Sequence, residues 1–428
     1  MNQDALDDIQ YEINYLVTQY YQERHANKEF IPGVTPVPVS GKVFDEKEML
    51  SLTQAMLDFW LTDGKMADEF SHKLAKETGR RYAVLCNSGS SANLLAITAL
   101  AQKGKHVVTP AVGFPTTLNP IIQNGMIPVF VDVDLETYVP NQQDIEEAVD
   151  YYDSPLSVIP HTLGNPAVQY KDDNCTIYDS CDALGGTFDG QKLTKFGIMS
   201  TLSFYPAHQI CLGEGGAVLT DDPKLKMKLE SLCGWGRSCY CKTGHDNTCN
   251  QRFTQQFGDL PYGYDHKYVY SEIGYNLKMT DLQAAIGIPQ LDKLPQFVKA
   301  RQDNFAYLKR IFFSMSWDRW FYLPRPSSTY ASPSWFGFPL TIHEDAPFTR
   351  LQLLNFLNEK KIGTRLLFGG NLTRQPAYKN TRYEIYGSLK NSDLITTNSF
   401  WIGVYPGLTR QMLDYVLECF EEFLGGSK

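Results

Sequence analysis

Short apolar runs alternate along the middle of the chain with stretches of helical periodicity. "YAVLCN", "HVVTPA", "IPVFVDVD", "SVIPH", "CTIYDS" and "MSTLSFY" are predicted strands, each too short and too uniformly apolar for an amphipathic helix. Between them, "SGSSANLLAITALA" opens on small polar capping residues and continues as a helix, and "PTTLNPIIQN" and "IEEAV" also read as helices. Apolar strands linked by helical crossovers predict an α/β fold, a mostly parallel sheet covered on both faces. Residues 1–30 predict an amphipathic arm helix, and the prolines of "FIPGVTPVPVSGK" force an extended segment after it. Helical periodicity over 46–79 breaks near "TDGK". A long helix begins at the capping threonine of "TDLQAAIGIPQLDKLPQFVKARQDNFAYLKRIF", with Pro289 and Pro295 as expected breaks. Residues from about 320 mix "SWFGFPLTI", a strand, with the helices "FTRLQLLNFLNEK" and "QMLDYVLECFEEFL". The expected organisation is an arm (1–45), a large domain (46–290), and a linking helix with a small α+β domain (291–428).

The stretch 233–275 has little periodicity and is rich in Gly, Tyr, Asp, Asn and Cys. Loops of that length are functional or disordered, and its aromatic content favours function. At 428 residues and 43% apolar composition the chain can bury a large core. Its net charge of −9 argues against nonspecific nucleic-acid binding. No apolar run has the length of a membrane span, and the acidic N-terminus lacks signal-peptide order, so a cytoplasmic protein is expected. Nine cysteines are then free thiols or ligands rather than disulfides. Cys86, Cys175, Cys211, Cys233 and Cys419 lie in or beside apolar runs and read as small buried residues.

Four places carry chemistry. In "NSGSSANLL", Gly89, Ser90 and the neighbouring serines stand where strand passes into helix, where free N–H groups hold a phosphate or simply cap a turn. Asp179 ends a predicted parallel strand; there it either caps a helix or pairs with a protonated ring nitrogen. Cys181, Cys239, Cys241 and Cys249 are separated by 57, one and seven residues. Four thiolates hold a structural zinc or an iron–sulfur cluster, and the C-x-C pair suits zinc poorly. His208 follows a strand in "SFYPAHQICLGEGG", with no lysine between Lys195 and Lys224. It is a structural hydrogen-bonding residue or a proton carrier near neutral pH, with Tyr205 and Asp182 as neighbours.

In this order the motifs resemble fold-type I, pyridoxal-phosphate-dependent aminotransferases and dehydratases of nucleotide-linked sugars, over nearly the whole chain. The resemblance implies that 46–290 is the cofactor-binding domain. "GSSAN" and Ser203 would hold the phosphate, Phe114 in "GFPTTLNP" would stack on the ring, and Asp179 would pair with its nitrogen. Asn276 in "GYNLKMTDLQAAIG" would reach the phosphate in a second subunit, which implies a homodimer. Five residues after Ser203 the aminotransferases place the lysine that holds the cofactor covalently, and here that residue is His208. With the cysteine spacing and with "PHTLGNP", "YCKTGHDNTCNQRF" and "GTRLLFGGNLTRQP", the chain is similar to one branch, the CDP-4-keto-6-deoxyglucose 3-dehydratases. Two departures stand out: Tyr178 replaces an acidic residue before Asp179, and the segment 164–177 is short.

That branch implies pyridoxamine 5'-phosphate (the PMP/PLP cofactor) and a 2Fe–2S cluster on the four cysteines. It also implies a nucleotide-linked 4-keto-6-deoxy sugar as substrate, in 3,6-dideoxyhexose biosynthesis. His208 would move the proton and Asp179 would keep the ring nitrogen protonated. Electrons would come from a separate NADH-dependent flavin and iron–sulfur reductase, since the chain carries no GxGxxG fingerprint. Arg365 and Arg374 are candidates for the diphosphate or sugar, or are solvated surface residues. A dTDP- or GDP-linked sugar, or a non-catalytic zinc protein, are the competing expectations.

Overall fold

The computed structural model describes residues 3–26, 29–167, 175–239, 241, 243–244 and 247–425. Its centre is an eight-stranded sheet. In chain order the strands are β1 (Tyr82–Cys86), β2 (His106–Pro110), β3 (Ile127–Val131), β4 (Ser157–Pro160), β5 (Thr176–Asp179), β6 (Met199–Ser203) and β7 (Gly216–Thr220), with the short strand Glu384–Ile385 on one edge. The spatial order is β1-β7-β6-β5-β4-β2-β3 and then 384–385. All pairings are parallel except the two that β7 makes, with β1 and with β6. Helices cover both faces, which explains the unbroken apolar strands. Val107, Val158 and Ile177 enter one core and Val108, Ile159 and Tyr178 another.

The helices form where periodicity and caps place them. α1 (Gln3–Tyr21) buries none of its residues, α2 (Glu46–Asp58) and α3 (Lys65–Thr78) flank the "TDGK" break, and α4 (Gly89–Leu100) follows β1. α5 (Pro115–Gln123) and α6 (Gln142–Tyr151) join the middle strands, and α7 (Pro223–Cys233) follows β7. A second sheet of four antiparallel strands, 321–322, 337–342, 399–403 and 364–365 in spatial order, packs its own aromatic core against the later helices. No helix among the described residues is long and apolar enough to cross a membrane.

α8 departs from expectation. It runs unbroken from Asp281 to Ser314 with Pro289 and Pro295 inside it. Thr280 caps it in a reciprocal box with Gln283. Proline at 289 removes the N–H that would reach the Ala285 carbonyl one turn earlier. The Ser51 hydroxyl on α2 donates to that carbonyl at 2.7 Å. The lost backbone bond is thus replaced from a neighbouring helix, and α8 passes through. Cys175 also differs from its expected burial, being exposed just before β5, while Cys86, Cys233 and Cys419 are buried and Cys211 is partly so.

Removing the Ser51 hydroxyl should therefore matter only while residue 289 lacks an N–H. Ser51→Ala is expected to cost about 1–2 kcal/mol of unfolding free energy. In a Pro289→Ala background the same change should cost less than about half of that. Urea unfolding of the four proteins in the double-mutant cycle measures the difference.

Candidate active site

The carboxyl ends of the parallel strands are the usual ligand position in an open α/β sheet. Asp179 ends β5 and is buried. Asn93 Nδ2 on α4 donates to its Oδ2 at 2.8 Å, and Thr117 Oγ1 on α5 donates to the same oxygen at 2.7 Å. Thr201 spends its one hydrogen on Asn93 Oδ1 at 2.6 Å, which fixes the amide with its NH2 toward Asp179. Oδ1 of Asp179 receives the Cys181 amide at 3.2 Å, with Thr201 Oγ1 at a longer 3.5 Å. One carboxylate oxygen is thus saturated and the other retains acceptor capacity.

The N-terminus of α4, which follows β1, lies against the end of β6. Ser88 caps α4 by accepting the Ser91 amide at 3.1 Å, leaving the first amides of the helix, Gly89 and Ser90 among them, without intrahelical acceptors. A Cβ on Gly89 would fall 2.4 Å from Ser203 Cβ and 3.1 Å from Cys181 Sγ, so only glycine permits this approach. Gly216 is pressed in the same way, where a Cβ would meet the Ser88 carbonyl oxygen at 2.3 Å. Ser90 is exposed at the rim. Phe114 precedes α5, half-exposed and edge-on to Phe368 at 6.1 Å.

His208 lies on the elbow between β6 and β7. Its amide donates to the Tyr205 carbonyl at 2.9 Å, and its ring packs on Phe336 at 5.1 Å. Nδ1 sits 3.4 Å from Asp182 Oδ1. The atom is buried and has no hydrogen-bond partner, so this is a Coulombic contact without hydrogen-bond alignment. Tyr205 is exposed beside it. Sequence reasoning did not find what fixes the elbow. Arg301 of α8 is buried and its guanidinium donates to the carbonyls of His208 and Trp335, each at 3.1 Å, with longer contacts to Ala207 and Phe336. Burial lowers its pKa to about 10, with Asp182 opposing the shift. A single buried guanidinium near a lone Asp carries no sequence signature.

Behind Asp179 lies a second residue that the sequence did not single out. His161 stacks on Tyr178 at 4.9 Å, and its Nδ1 accepts the Ala167 amide at 3.0 Å, leaving Nε2 unpartnered. The departure at Tyr178 thus supplies a stacking partner in the core. Burial drives the His161 pKa down to about 3, against the opposing charge of Asp179. Residues 168–174, half of the short segment 164–177, lie outside the described residues.

The cysteine-rich loop gathers three of the four expected ligands. Ligand atoms of Cys239, Cys241 and His266 lie within 4.8 Å of one another, and Cys249 Sγ is 3.4 Å from His266 Nε2. Although burial opposes it, hydrogen bonds from Thr248, the Cys249 amide and the neighbouring thiols bring Cys241 down to about 6. Cys239 and Cys241 open onto a cavity of ≈ 950 Å³ that Trp60, Trp235, Arg237 and Lys278 also line. Cys181, the fourth expected ligand, has its sulfur beside Gly89 at the start of α4, where burial and then the charge of Asp179 push its thiol well above the ordinary range.

The remaining expected residues lie apart. Asn276 is exposed and accepts Lys278 Nζ at 2.6 Å, while Lys278 sits 3.6 Å over the Trp235 ring. Arg365 is exposed and donates to the Thr364 carbonyl. Arg374 is committed to Asp393 through Nε at 2.8 Å and Nη2 at 2.7 Å.

Residues 42–421 match the DegT/DnrJ/EryC1/StrS aminotransferase family. The chain is 49% identical to the lipopolysaccharide biosynthesis protein RfbH of Salmonella typhimurium, over 98% of this chain and 99% of that protein. It is 46% identical to a dTDP-4-dehydro-2,6-dideoxy-D-glucose 3-dehydratase of Saccharopolyspora spinosa, over 96% and 91%. Among solved structures it is similar to an Escherichia coli GDP-4-keto-6-deoxy-D-mannose-3-dehydratase with bound hydrated PLP. That match has a TM-score of 0.78 and 27% identity and covers 90% of this chain and 98% of the other. The fold is that of the fold-type I pyridoxal-phosphate enzymes.

Burial of neutral His161 makes stability depend on pH in a defined direction. Below its unfolded pKa near 6.5 the unfolded chain binds a proton that the folded chain refuses until about pH 3, so stability falls as pH falls through that window. The His161 contribution should reach about 2 kcal/mol between pH 6.5 and pH 5. His161→Asn, which keeps an acceptor for the Ala167 amide, should flatten that part of the stability–pH curve measured by denaturant unfolding.

Proposed function

Because the chain belongs to the DegT/DnrJ/EryC1/StrS aminotransferase family, we propose that its lysine-free pocket performs C-3 dehydration of a nucleotide-linked 4-keto-6-deoxyhexose. The observation that carries this reading is His208, standing beside Asp182 on the elbow five residues after Ser203. A histidine there moves protons but cannot capture an aldehyde cofactor as an amine would. The two relatives named as 3-dehydratases support the same class of chemistry.

The residues present fit pyridoxamine phosphate. Gly89, Ser90 and Ser203 would hold its phosphate, Phe114 would cover one ring face, and Asp179 Oδ1 would accept from its ring N–H. Bound there, the cofactor supplies an amine that condenses with the sugar ketone and a ring that delocalises negative charge. Asp179 would keep the ring nitrogen protonated through Oδ1, while Asn93 and Thr117 hold the carboxyl group in place by its other oxygen. His208 carries the proton, and its Nδ1 stands 3.4 Å from Asp182 Oδ1. Arg301 is a positioning residue that sets the elbow through its carbonyls.

Loss of the 3-hydroxyl leaves the sugar two electrons short of a 3-deoxy product. A 2Fe–2S cluster held by Cys181, Cys239, Cys241 and Cys249 would supply single electrons, and three of those thiols already stand around His266 in the loop. The electrons originate in a separate NADH-dependent flavin and iron–sulfur reductase. The cavity beside Cys239 and Cys241 gives such a partner access. The protein works as a homodimer in which Asn276 reaches the partner's cofactor phosphate. CDP is the proposed nucleotide, from the motif resemblance, with Arg365 near the substrate. The 46% identity to the Saccharopolyspora spinosa protein favours dTDP as a second reading.

Turnover of CDP-, dTDP- and GDP-linked 4-keto-6-deoxyhexoses with NADH and a reductase, followed by mass spectrometry, tests the assignment. A 3-deoxy product from one nucleotide is expected; an aminated sugar as the only product would refute it. His208→Lys should lower dehydration by about 10²–10⁴-fold, the usual worth of a positioned proton carrier. Gly89→Ala should weaken retention of pyridoxamine phosphate about 10–100-fold, the equivalent of 1–3 kcal/mol of overpacking, as read from its near-ultraviolet absorbance.

A further inference from the structure

A row of phenyl rings connects the residue expected to cover the cofactor ring with the proton carrier. Phe114 meets Phe368 edge-on at 6.1 Å, Phe368 meets Phe336 at 6.3 Å, and Phe336 packs on the His208 ring at 5.1 Å. Phe368 and Ala207, the residue before His208, both pack against the core cluster that contains Phe336. Phe368 is half-buried. It therefore spans the gap between the two ends of the site and presents only carbon to it.

The turn that carries Phe368 is fixed from both sides. The Gly369 amide donates to the Gly113 carbonyl at 3.1 Å and the Leu372 amide to the Ala111 carbonyl at 2.8 Å, which ties the turn to the segment before Phe114. Trp401 Nε1 donates to the Leu366 carbonyl at 3.0 Å. Within this frame Phe368 has left-handed backbone, with φ 49°. Bulky residues rarely adopt that conformation and glycine takes it freely. Gly369 and Gly370 follow directly, so the turn has glycine beside the strained position and yet places a ring there. Strain of this kind persists where the surroundings over-determine it, and it clusters at ligand sites.

We propose that Phe368 is a specificity-determining residue which, with Phe336, forms the apolar wall that receives the C5 methyl group of the sugar. The inference rests on the dehydration reading above, which puts the reacting carbons of the sugar between the cofactor and His208. Such a sugar carries hydroxyls, a ketone and a diphosphate, and its C5 methyl is the one apolar substituent. C5 adjoins the ketone carbon, so the methyl lies beside the reacting centre, where the rings are. Against phenyl rings a methyl group leaves water without losing a hydrogen bond, whereas a 6-hydroxyl would be desolvated with no partner. The wall thus selects 6-deoxy sugars at the binding step.

The test uses the full-length protein loaded with pyridoxamine phosphate and supplied with NADH and a reductase. It measures inhibition of 3-deoxy product formation by CDP-6-deoxyglucose and by CDP-glucose; the dTDP or GDP pair replaces them if that nucleotide is the one turned over. Both ligands carry a 4-hydroxyl and cannot condense with an amine, so they report binding alone. The 6-deoxy ligand should inhibit about 10–100-fold more tightly, the range in which an apolar pocket rejects an added hydroxyl. Phe368→Leu should keep that preference. Phe368→Asn tolerates the left-handed backbone and offers a hydroxyl a partner, so it should reduce the preference below about 3-fold. It should also raise KM for the keto substrate with kcat little changed. A role in packing alone would lower stability and leave the preference intact. Equal inhibition by the two ligands in the wild type, or a preference that persists in folded Phe368→Asn, overturns the inference while dehydration stands. No 3-deoxy product from any of the nucleotides overturns the dehydration reading and the inference with it. Should Phe368→Asn fail to fold, Phe368→Gly, which meets φ 49° without strain, takes its place with the same expected loss of preference.

Discussion

The buried carboxylate of Asp179 is the constraint on which the site depends. Removing an ionised group from water costs several kcal/mol unless hydrogen bonds replace its hydration. Here the replacements come from α4, α5 and the peptide that follows β5, so one side chain ties three elements together. Thr201 on the adjacent strand acts one step removed, by orienting the Asn93 amide. The parallel order of β5 and β6 gives this geometry, because it puts the ends of both strands on the same side. Charge, sheet topology and ligand position are thus set together rather than separately.

The second half of the site is built on a different principle. The His208 elbow has no strand or helix to shape it, and its form comes from a buried cation that gathers carbonyls. Four backbone acceptors around Arg301 replace water that the guanidinium loses, and Asp182, 3.4 Å from His208, opposes the lowering of the Arg301 pKa. The same carboxylate also accepts the Leu163 amide at 3.2 Å, which binds the elbow to the turn after β4. Asp182 therefore belongs to both the chemistry and the architecture.

Much of this was legible along the chain because it is local. Each strand of the central sheet is a short apolar run, and Asp179, Ser203 and Gly89 sit at strand ends where ligands bind. The parts that escaped are contacts between distant segments. α8 continues through Pro289 because Ser51, on another helix, donates to the stranded carbonyl; a proline rule applied to the helix alone cannot register that. His266 lies outside the cysteine spacing and joins the sulfurs only through the fold of the loop. Arg374, a candidate for the diphosphate or sugar, is taken by Asp393, a carboxylate 19 residues further along. Tyr178, a departure from a familiar pattern, acquires its reason only beside His161.

The clamp by Arg301 has a consequence for how the molecule is made. The strand that delivers His208 leaves the ribosome well before the arginine that shapes its elbow, 93 positions further along. At ordinary elongation rates that interval is about 5–20 seconds. During it the nascent sheet can form while the elbow has no cation to gather its carbonyls. The proton-carrying end of the pocket is therefore the last part to mature, and a chain interrupted before α8 carries a phosphate cradle without a working site.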